Sequence, residues 1–146
     1  MIMDLNLEIE IIQTSIYCNI ITMLIKEHTS LSVNKLIVFS YLVKKESLIQ
    51  NSIFKASNKK DIVNKYLSML SGDLNNLFSS YKYILSAIHI LLKNEVLKLE
   101  GIILSKTNKL DIDKFVYHES DFTKKVIEKT KTMSDKQFMR EVLSNV

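Results

Sequence analysis

Proline is absent from this 146-residue sequence, and glycine occurs only twice, as Gly72 and Gly101. Sandwiches and barrels turn the chain often and rely at those turns on residues that tolerate positive φ. Helices need neither residue in their interiors. The two scarcities argue against a turn-rich all-β fold and predict a mainly α domain.

Cysteine and arginine each occur once, as Cys18 and Arg140. A single cysteine excludes an internal disulfide and is compatible with a reducing cytosol. Arginine makes the bidentate contacts to phosphate and guanine, so a chain whose positive charge is nearly all lysine is poorly equipped to read DNA sequence. The net charge of +4 is compatible with a nucleic-acid or an acidic protein partner and demands neither.

Long hydrophobic runs are also scarce. The most apolar stretch, residues 11–25, is interrupted by polar side chains and is shorter than the roughly 20 residues that a membrane span needs. The residues before it are acidic, whereas a signal peptide begins with a basic segment. We therefore expect a cytoplasmic protein that does not associate with membranes.

Patterns for catalysis or metal binding are missing as well. Two distant glycines cannot form a phosphate-binding loop, and position 122, where a zinc-protease motif starting at His118 would need a second histidine, is Phe122. The metal-binding side chains His28, His89, His118 and Cys18 are scattered along the chain. The sequence predicts a protein that is not an enzyme and that uses no metal, no cofactor and no small-molecule substrate.

What the sequence has in quantity is helical periodicity. It predicts N-terminal helices within residues 12–45, with the start left open because residues 5–11 alternate like a strand, and core helices within residues 58–94. The strongest signal is a stripe of nine apolar residues with spacings of three and four, expected to face the core. These residues are Leu74, Leu77, Phe78, Tyr81, Ile84, Leu85, Ile88, Leu91 and Leu92.

A short hairpin and two helices complete the predicted order. Two apolar runs around Glu100-Gly101 predict a β-hairpin over residues 96–105, and C-terminal helices follow within residues 121–144. Helices followed by a hairpin are the order of a winged helix-turn-helix domain, in which the hairpin is the wing. The expected fold is therefore mainly α, a single domain over residues 1–146, with a winged helix-turn-helix-like helical core, a short wing and C-terminal helices.

Two sets of side chains are candidates for binding. The first consists of lysines able to contact phosphate without reading sequence: Lys106, Lys109 and Lys114 at and after the wing, and Lys82 and Lys93 on the long helix. The second consists of apolar residues suited to a partner interface: Tyr83, Ile90, Phe138, Met139, Val142 and Leu143.

Three segments resemble one known group of proteins. They are LSVNKLIVFSYLVK (31–44), ILSAIHILLKNEVLKLEGIILS (84–105) and MSDKQFMREVLSNV (133–146), and they cover about a third of the chain. They resemble the middle components of bacterial ABC three-component systems, which include the Lamassu-type phage-defence operons. The resemblance implies a non-enzymatic adaptor that links an SMC/Rad50-like ATPase to an effector subunit, and it implies no catalytic residue.

A second function stays open at this point. A free-standing winged-helix DNA-binding regulator would share the predicted fold, but it would form a symmetric dimer and bind duplex DNA with a steep dependence on salt. An adaptor would instead form a stable hetero-complex.

Overall fold

The computed structural model describes residues 4–48 and 62–146. Within these residues the chain is mainly helical, with a small antiparallel sheet, which confirms the expected fold class at that level. The helices are α1 (Leu5–His28), α2 (Val33–Ser47), α3 (Ile62–Leu67) with a 3-10 turn (Ser68–Leu70), α4 (Leu74–Lys93), α5 (Asp121–Thr130) and α6 (Asp135–Asn145). The strands are β1 (Ser30–Ser32), β2 (Leu97–Glu100) and β3 (Ile103–Lys106).

α1 starts seven residues before position 12, and the strand-like alternation at the start of the chain is helical. The carboxylate of Asp4 accepts a hydrogen bond from the backbone N–H of Asn6, which caps the helix. From Ile20 to Ile25 every residue of α1 is buried, whereas its first two turns are largely exposed. By length and composition α1 is apolar enough to cross a membrane. Its most apolar stretch of 18 residues has a mean hydropathy of 1.2, and 44% of that stretch is buried inside the protein. A core helix and an N-terminal signal sequence both have this length and composition, so a cytoplasmic location stays a prediction.

The sheet contains one strand that the sequence did not predict. β2 and β3 form the expected hairpin, with Gly101 at φ 62° in its turn, and β1 pairs antiparallel with β3 to give the order β1-β3-β2. The register places Ser30 opposite Ser105. A three-residue strand carries no periodicity of its own, so only its distant partner reveals it.

Capping residues fix the ends of several helices. Ser32 ends β1 and caps α2 by accepting from the N–H of Lys35 at 3.2 Å, and Ser134 caps α6 by accepting from the N–H of Gln137 at 3.1 Å. Serine is a favoured N-cap residue, and both serines stand directly before the first residue of their helix. Gly72, at φ 71°, ends the segment before α4. The start expected for α3 at residue 58 lies outside the described residues.

α4 differs from its prediction in two ways. The expected core stripe is split, since Leu77, Ile84, Ile88 and Leu91 are buried, whereas Leu74, Phe78, Tyr81 and Leu85 are exposed. Asp73 precedes the helix, but its side chain does not cap it, because its carboxylate accepts from Tyr41, Lys45 and Asn76 instead.

The C-terminal helices complete the core. Phe138 of α6 is fully buried with its ring centroid 5.4 Å from that of Phe39, and Val142 is 3% exposed. Lys35 of α2 reaches the joint between α5 and α6, where its Nζ donates to the carbonyls of Thr130 and Met133, both at 2.8 Å. The expectation that Phe138 and Val142 face a partner is therefore wrong, because both side chains are buried in the core of this chain.

Candidate protein-interaction surface

The exposed residues of α4 form a second stripe beside its buried one. Leu74, Phe78, Tyr81 and Leu85 recur at spacings of three and four, so they lie on one side of the helix. Phe78 is 63% exposed, and the other three are between 37% and 43% exposed. Single exposed apolar residues are ordinary, but four in line on one helix are typical of a surface that another molecule covers.

The first turns of α1 present apolar side chains on several sides. Leu5, Leu7, Ile9, Ile11 and Ile12 are all more than 40% exposed. A helix that is apolar around its circumference is stable in water only when neighbours cover it. Within the described residues, neighbours cover only the C-terminal half of α1 in this way.

A groove of about 600 Å³ joins the two sets. Leu7 and Ile11 of α1 line one wall, and Leu85 and Ile90 of α4 line the other. Leu85 belongs both to the groove and to the exposed stripe, so the groove and the stripe adjoin at Leu85. We call this surface, made by Leu7, Ile11, Phe78, Tyr81, Leu85 and Ile90, the α1–α4 face.

Close packing holds the two helices in place beneath this face. Cys18 Sγ lies 3.9 Å from the backbone oxygen of Ala87, and both Ala87 and Ile84 are fully buried. The small side chain of Ala87 allows α1 to approach the backbone of α4 here. Burial raises the pKa of the Cys18 thiol, so this thiol is a packing group and not an activated nucleophile.

Charges are divided between the two helices. From Asp4 to Ile25, α1 and its cap carry Asp4, Glu8 and Glu10 and no basic side chain. α4 carries Lys82 and Lys93 and no acidic side chain. The α1–α4 face therefore has an acidic side and a basic side.

The remaining residues expected to meet a partner are spread over the molecule. Ile90 is 42% exposed and belongs to the α1–α4 face, whereas Tyr83 is half-buried and lies beside a different, polar cavity. On α6, Met139 is half-buried and Leu143 is 67% exposed. The structure thus brings only Ile90 of the predicted set to the α1–α4 face.

The five candidate lysines are spread over α4, the hairpin and the loop after it. Lys109 pairs with Glu95 at the base of the hairpin, and Lys82 Nζ lies 4.9 Å from the centroid of the Tyr83 ring. Lys106 is exposed at the end of β3, Lys93 is exposed at the end of α4, and Lys114 is exposed in the loop before α5. Lys109 and Lys82 therefore already have partners within the chain.

The tip of the hairpin is apolar. Leu99, Ile102 and Ile103 are between 41% and 56% exposed there, and the charged residues of β2, Lys98 and Glu100, pair with each other at 3.5 Å. A wing that contacts DNA usually presents cations to phosphate. This tip is chemically closer to a protein-binding surface.

One buried hydrogen-bonded pair was not predicted. His28 Nε2 lies 2.7 Å from Glu119 Oε2, both side chains are under 5% exposed, and Glu128 Oε1 lies 3.4 Å from His28 Nδ1. The pair ties the end of α1 to the segment that precedes α5. It includes no nucleophile, and no group of three or more metal-binding side chains occurs in the described parts of the chain. Its evident role is to hold that segment in place.

A polar cavity of about 460 Å³ lies on the other side of α1. Asp73 Oδ2 accepts from Lys45 Nζ at 2.7 Å and from the Tyr41 hydroxyl. Burial raises the pKa of Asp73, but the hydrogen bonds from Lys45, Tyr41 and Asn76 outweigh it, so the net pKa is below its usual value. The carboxylate of Asp73 thus balances the charge of Lys45, and these hydrogen bonds link α2 to the start of α4.

No protein-family profile, curated protein or solved structure matches this chain.

Proposed function

We propose that this chain is a non-enzymatic adaptor subunit of a bacterial anti-phage defence complex, located in the cytoplasm. In this proposal it joins an SMC/Rad50-like ATPase to an effector subunit and needs no cofactor. The α1–α4 face is the observation that carries the proposal, because it exposes six apolar side chains along the groove and the adjoining stripe of α4. The hairpin tip offers a second apolar surface, and an adaptor needs two.

The size of such a contact sets an expectation for the complex. Stable interfaces bury about 800 Å² on each partner around a core of aromatic and aliphatic anchors. Phe78 and Tyr81 supply the aromatic side chains that interfaces favour. We expect the ATPase or the effector to cover these two rings.

Co-expression with the neighbouring genes tests the proposal. The chain should co-purify with a coiled-coil ATPase encoded beside it, and Phe78→Asp with Leu85→Asp should abolish this retention because both changes place charge within the contact. Val116→Asp is the matched control, since Val116 is 81% exposed and does not belong to the α1–α4 face. Circular dichroism checks that each variant folds. An unchanged yield of ATPase with the double variant, or a neighbourhood without such an ATPase, would contradict the adaptor.

The second candidate is a winged-helix DNA-binding regulator, and the sheet order favours it. In a winged helix the first strand follows the first helix and pairs with the last strand of the wing, and the order β1-β3-β2 after α1 agrees with that arrangement. An adaptor built on a winged-helix core would have the same topology, so topology supports the fold more than the function. The exposed apolar stripe of α4 and the apolar hairpin tip favour the adaptor.

A further inference from the structure

The α1–α4 face carries opposite charges on its two helices, and this division restricts what can cover it. The acidic side has Glu8 and Glu10, and the basic side has Lys82 and Lys93. With about 100° per residue in a helix, Glu8 and Glu10 flank the Leu7–Ile11 stripe on opposite sides, so any molecule on this stripe meets a carboxylate.

A second copy of the same chain presents the same two helices. In a two-fold dimer the contacts are reciprocal. If α1 of one copy contacts α4 of the other, then α4 of the first copy also contacts α1 of the second. Two arrangements of the two neighbouring helices are available. One places α1 on α1 and α4 on α4, and the other places α1 of each copy on α4 of the other.

Electrostatics distinguishes these arrangements. Pairing like helices brings Glu8 and Glu10 close to their own copies and leaves the lysines of α4 facing lysines. Pairing α1 with α4 brings carboxylates to Lys82 and Lys93 at both halves of the interface while apolar side chains meet along the groove. The face is complementary to itself in the second arrangement only.

We propose that the isolated chain forms a two-fold symmetric dimer in which α1 of each copy packs on α4 of the other. The dimer covers Leu7, Ile11, Phe78 and Leu85, which are exposed in the single chain. This inference rests on the proposed function, because the dimer uses the same α1–α4 face. The second copy covers that face when the ATPase and the effector are absent. A partner subunit then has to displace the second copy.

Charge reversal on either helix tests this arrangement. Glu8→Lys with Glu10→Lys makes both sides of the face basic, and Lys82→Glu with Lys93→Glu makes both sides acidic. Each double variant should raise the dissociation constant of the homodimer by at least about tenfold, because like charges now meet at both halves. Sedimentation velocity over a range of concentrations measures it.

Mixing the two variants provides the decisive result. In the mixed dimer the basic α1 of one copy faces the acidic α4 of the other, and the remaining pair has the native charges. The mixture should therefore dimerise with an affinity near that of the native chain, and a mass tag on one variant identifies the heterodimer. Lys124→Glu with Lys125→Glu is the control, because it changes the total charge by the same amount at two exposed positions of α5, which is not part of the face.

Each other outcome overturns the proposal. A native chain that stays monomeric across the concentration range leaves no dimer to explain. A dimer that both double variants leave intact either uses another surface or pairs like helices, and variants that are weakened but not restored by mixing do not pair α1 with α4. The measurement uses this chain alone, so its failure leaves the co-purification test of the adaptor standing, and the converse also holds.

Discussion

At the scale of single residues, Ile84 and Leu85 are consecutive and chemically similar, yet they have different surroundings. Ile84 is fully buried in the core, whereas Leu85 is 38% exposed on the α1–α4 face. Both fit the same apolar stripe in the sequence, because spacings of three and four admit two neighbouring rows on one helix. The apolar stripe of α4 is wider than one neighbouring helix can cover, and this width indicates that part of the stripe is exposed.

This difference predicts unequal losses of stability. Ile84→Ala should lower the free energy of unfolding by about 2–5 kcal/mol through the cavity that it leaves in the core. Leu85→Ala should lower it by less than about 1 kcal/mol, because a partly exposed site loses few contacts. Denaturant unfolding of the two variants gives both numbers under conditions where the chain is monomeric. Equal losses would place Leu85 in the core and remove it from the α1–α4 face.

Caps were the most predictable residues, for a physical reason. Ser32 and Ser134 act through hydrogen bonds to a backbone N–H three residues ahead, so local sequence contains the whole interaction. Asp73 looks like a cap by the same rule, but Lys45 and Tyr41 of a distant helix engage its carboxylate. The His28–Glu119 pair joins residues far apart in the sequence and could not be found locally.

At the scale of elements, α6 shows how an amphipathic helix can be misassigned. Its apolar side predicted a helix that docks on a partner, and the helix is present at the expected place. Nothing in a short stripe says whether the neighbour belongs to the same chain or to another. In the structure the neighbours are Phe39 of α2 and the α3 segment, so Phe138 and Val142 belong to the core.

Removal of α6 is therefore expected to unfold the core, where a detachable helix would leave it intact. A chain ending at Met133 loses Phe138 and Val142, and truncating a buried phenylalanine alone typically costs about 3–5 kcal/mol. This loss is comparable to the whole stability of many small domains. Thermal unfolding followed by circular dichroism should show a melting temperature far below that of the full chain, or no cooperative transition. Leu143→Ala, at an exposed site of the same helix, should leave the transition nearly unchanged. If the shortened chain has the same melting temperature as the full chain, α6 is not needed for the core and becomes a candidate partner-binding helix again.

At the scale of the whole molecule, composition predicted the fold class, and periodicity predicted most of the helices. Scarce glycine and proline restrict the chain as a whole, so this inference does not depend on which element packs on which. The arrangement of surfaces was less predictable, because Phe78 and Phe138 look alike in the sequence and only packing makes one exposed and the other buried. The α1–α4 face forms only when α1 packs beside α4 in the folded chain.

The overall charge leads to the last prediction, which concerns nucleic acid. The net charge of +4 favours weak association with any polyanion, but the exposed stripe of α4 and the hairpin tip offer few groups that could read bases. Any duplex binding should therefore be weak, steeply dependent on salt and similar for all sequences.

Lys106→Glu with Lys109→Glu should weaken duplex binding for every sequence and flatten its salt dependence if phosphate lies beside the base of the hairpin. Lys124→Glu with Lys125→Glu, which changes the net charge by the same amount, separates this local effect from a general one. Fluorescence anisotropy with several duplexes at a series of salt concentrations measures both. Tight binding to one sequence, resistant to salt, would favour the regulator over the adaptor.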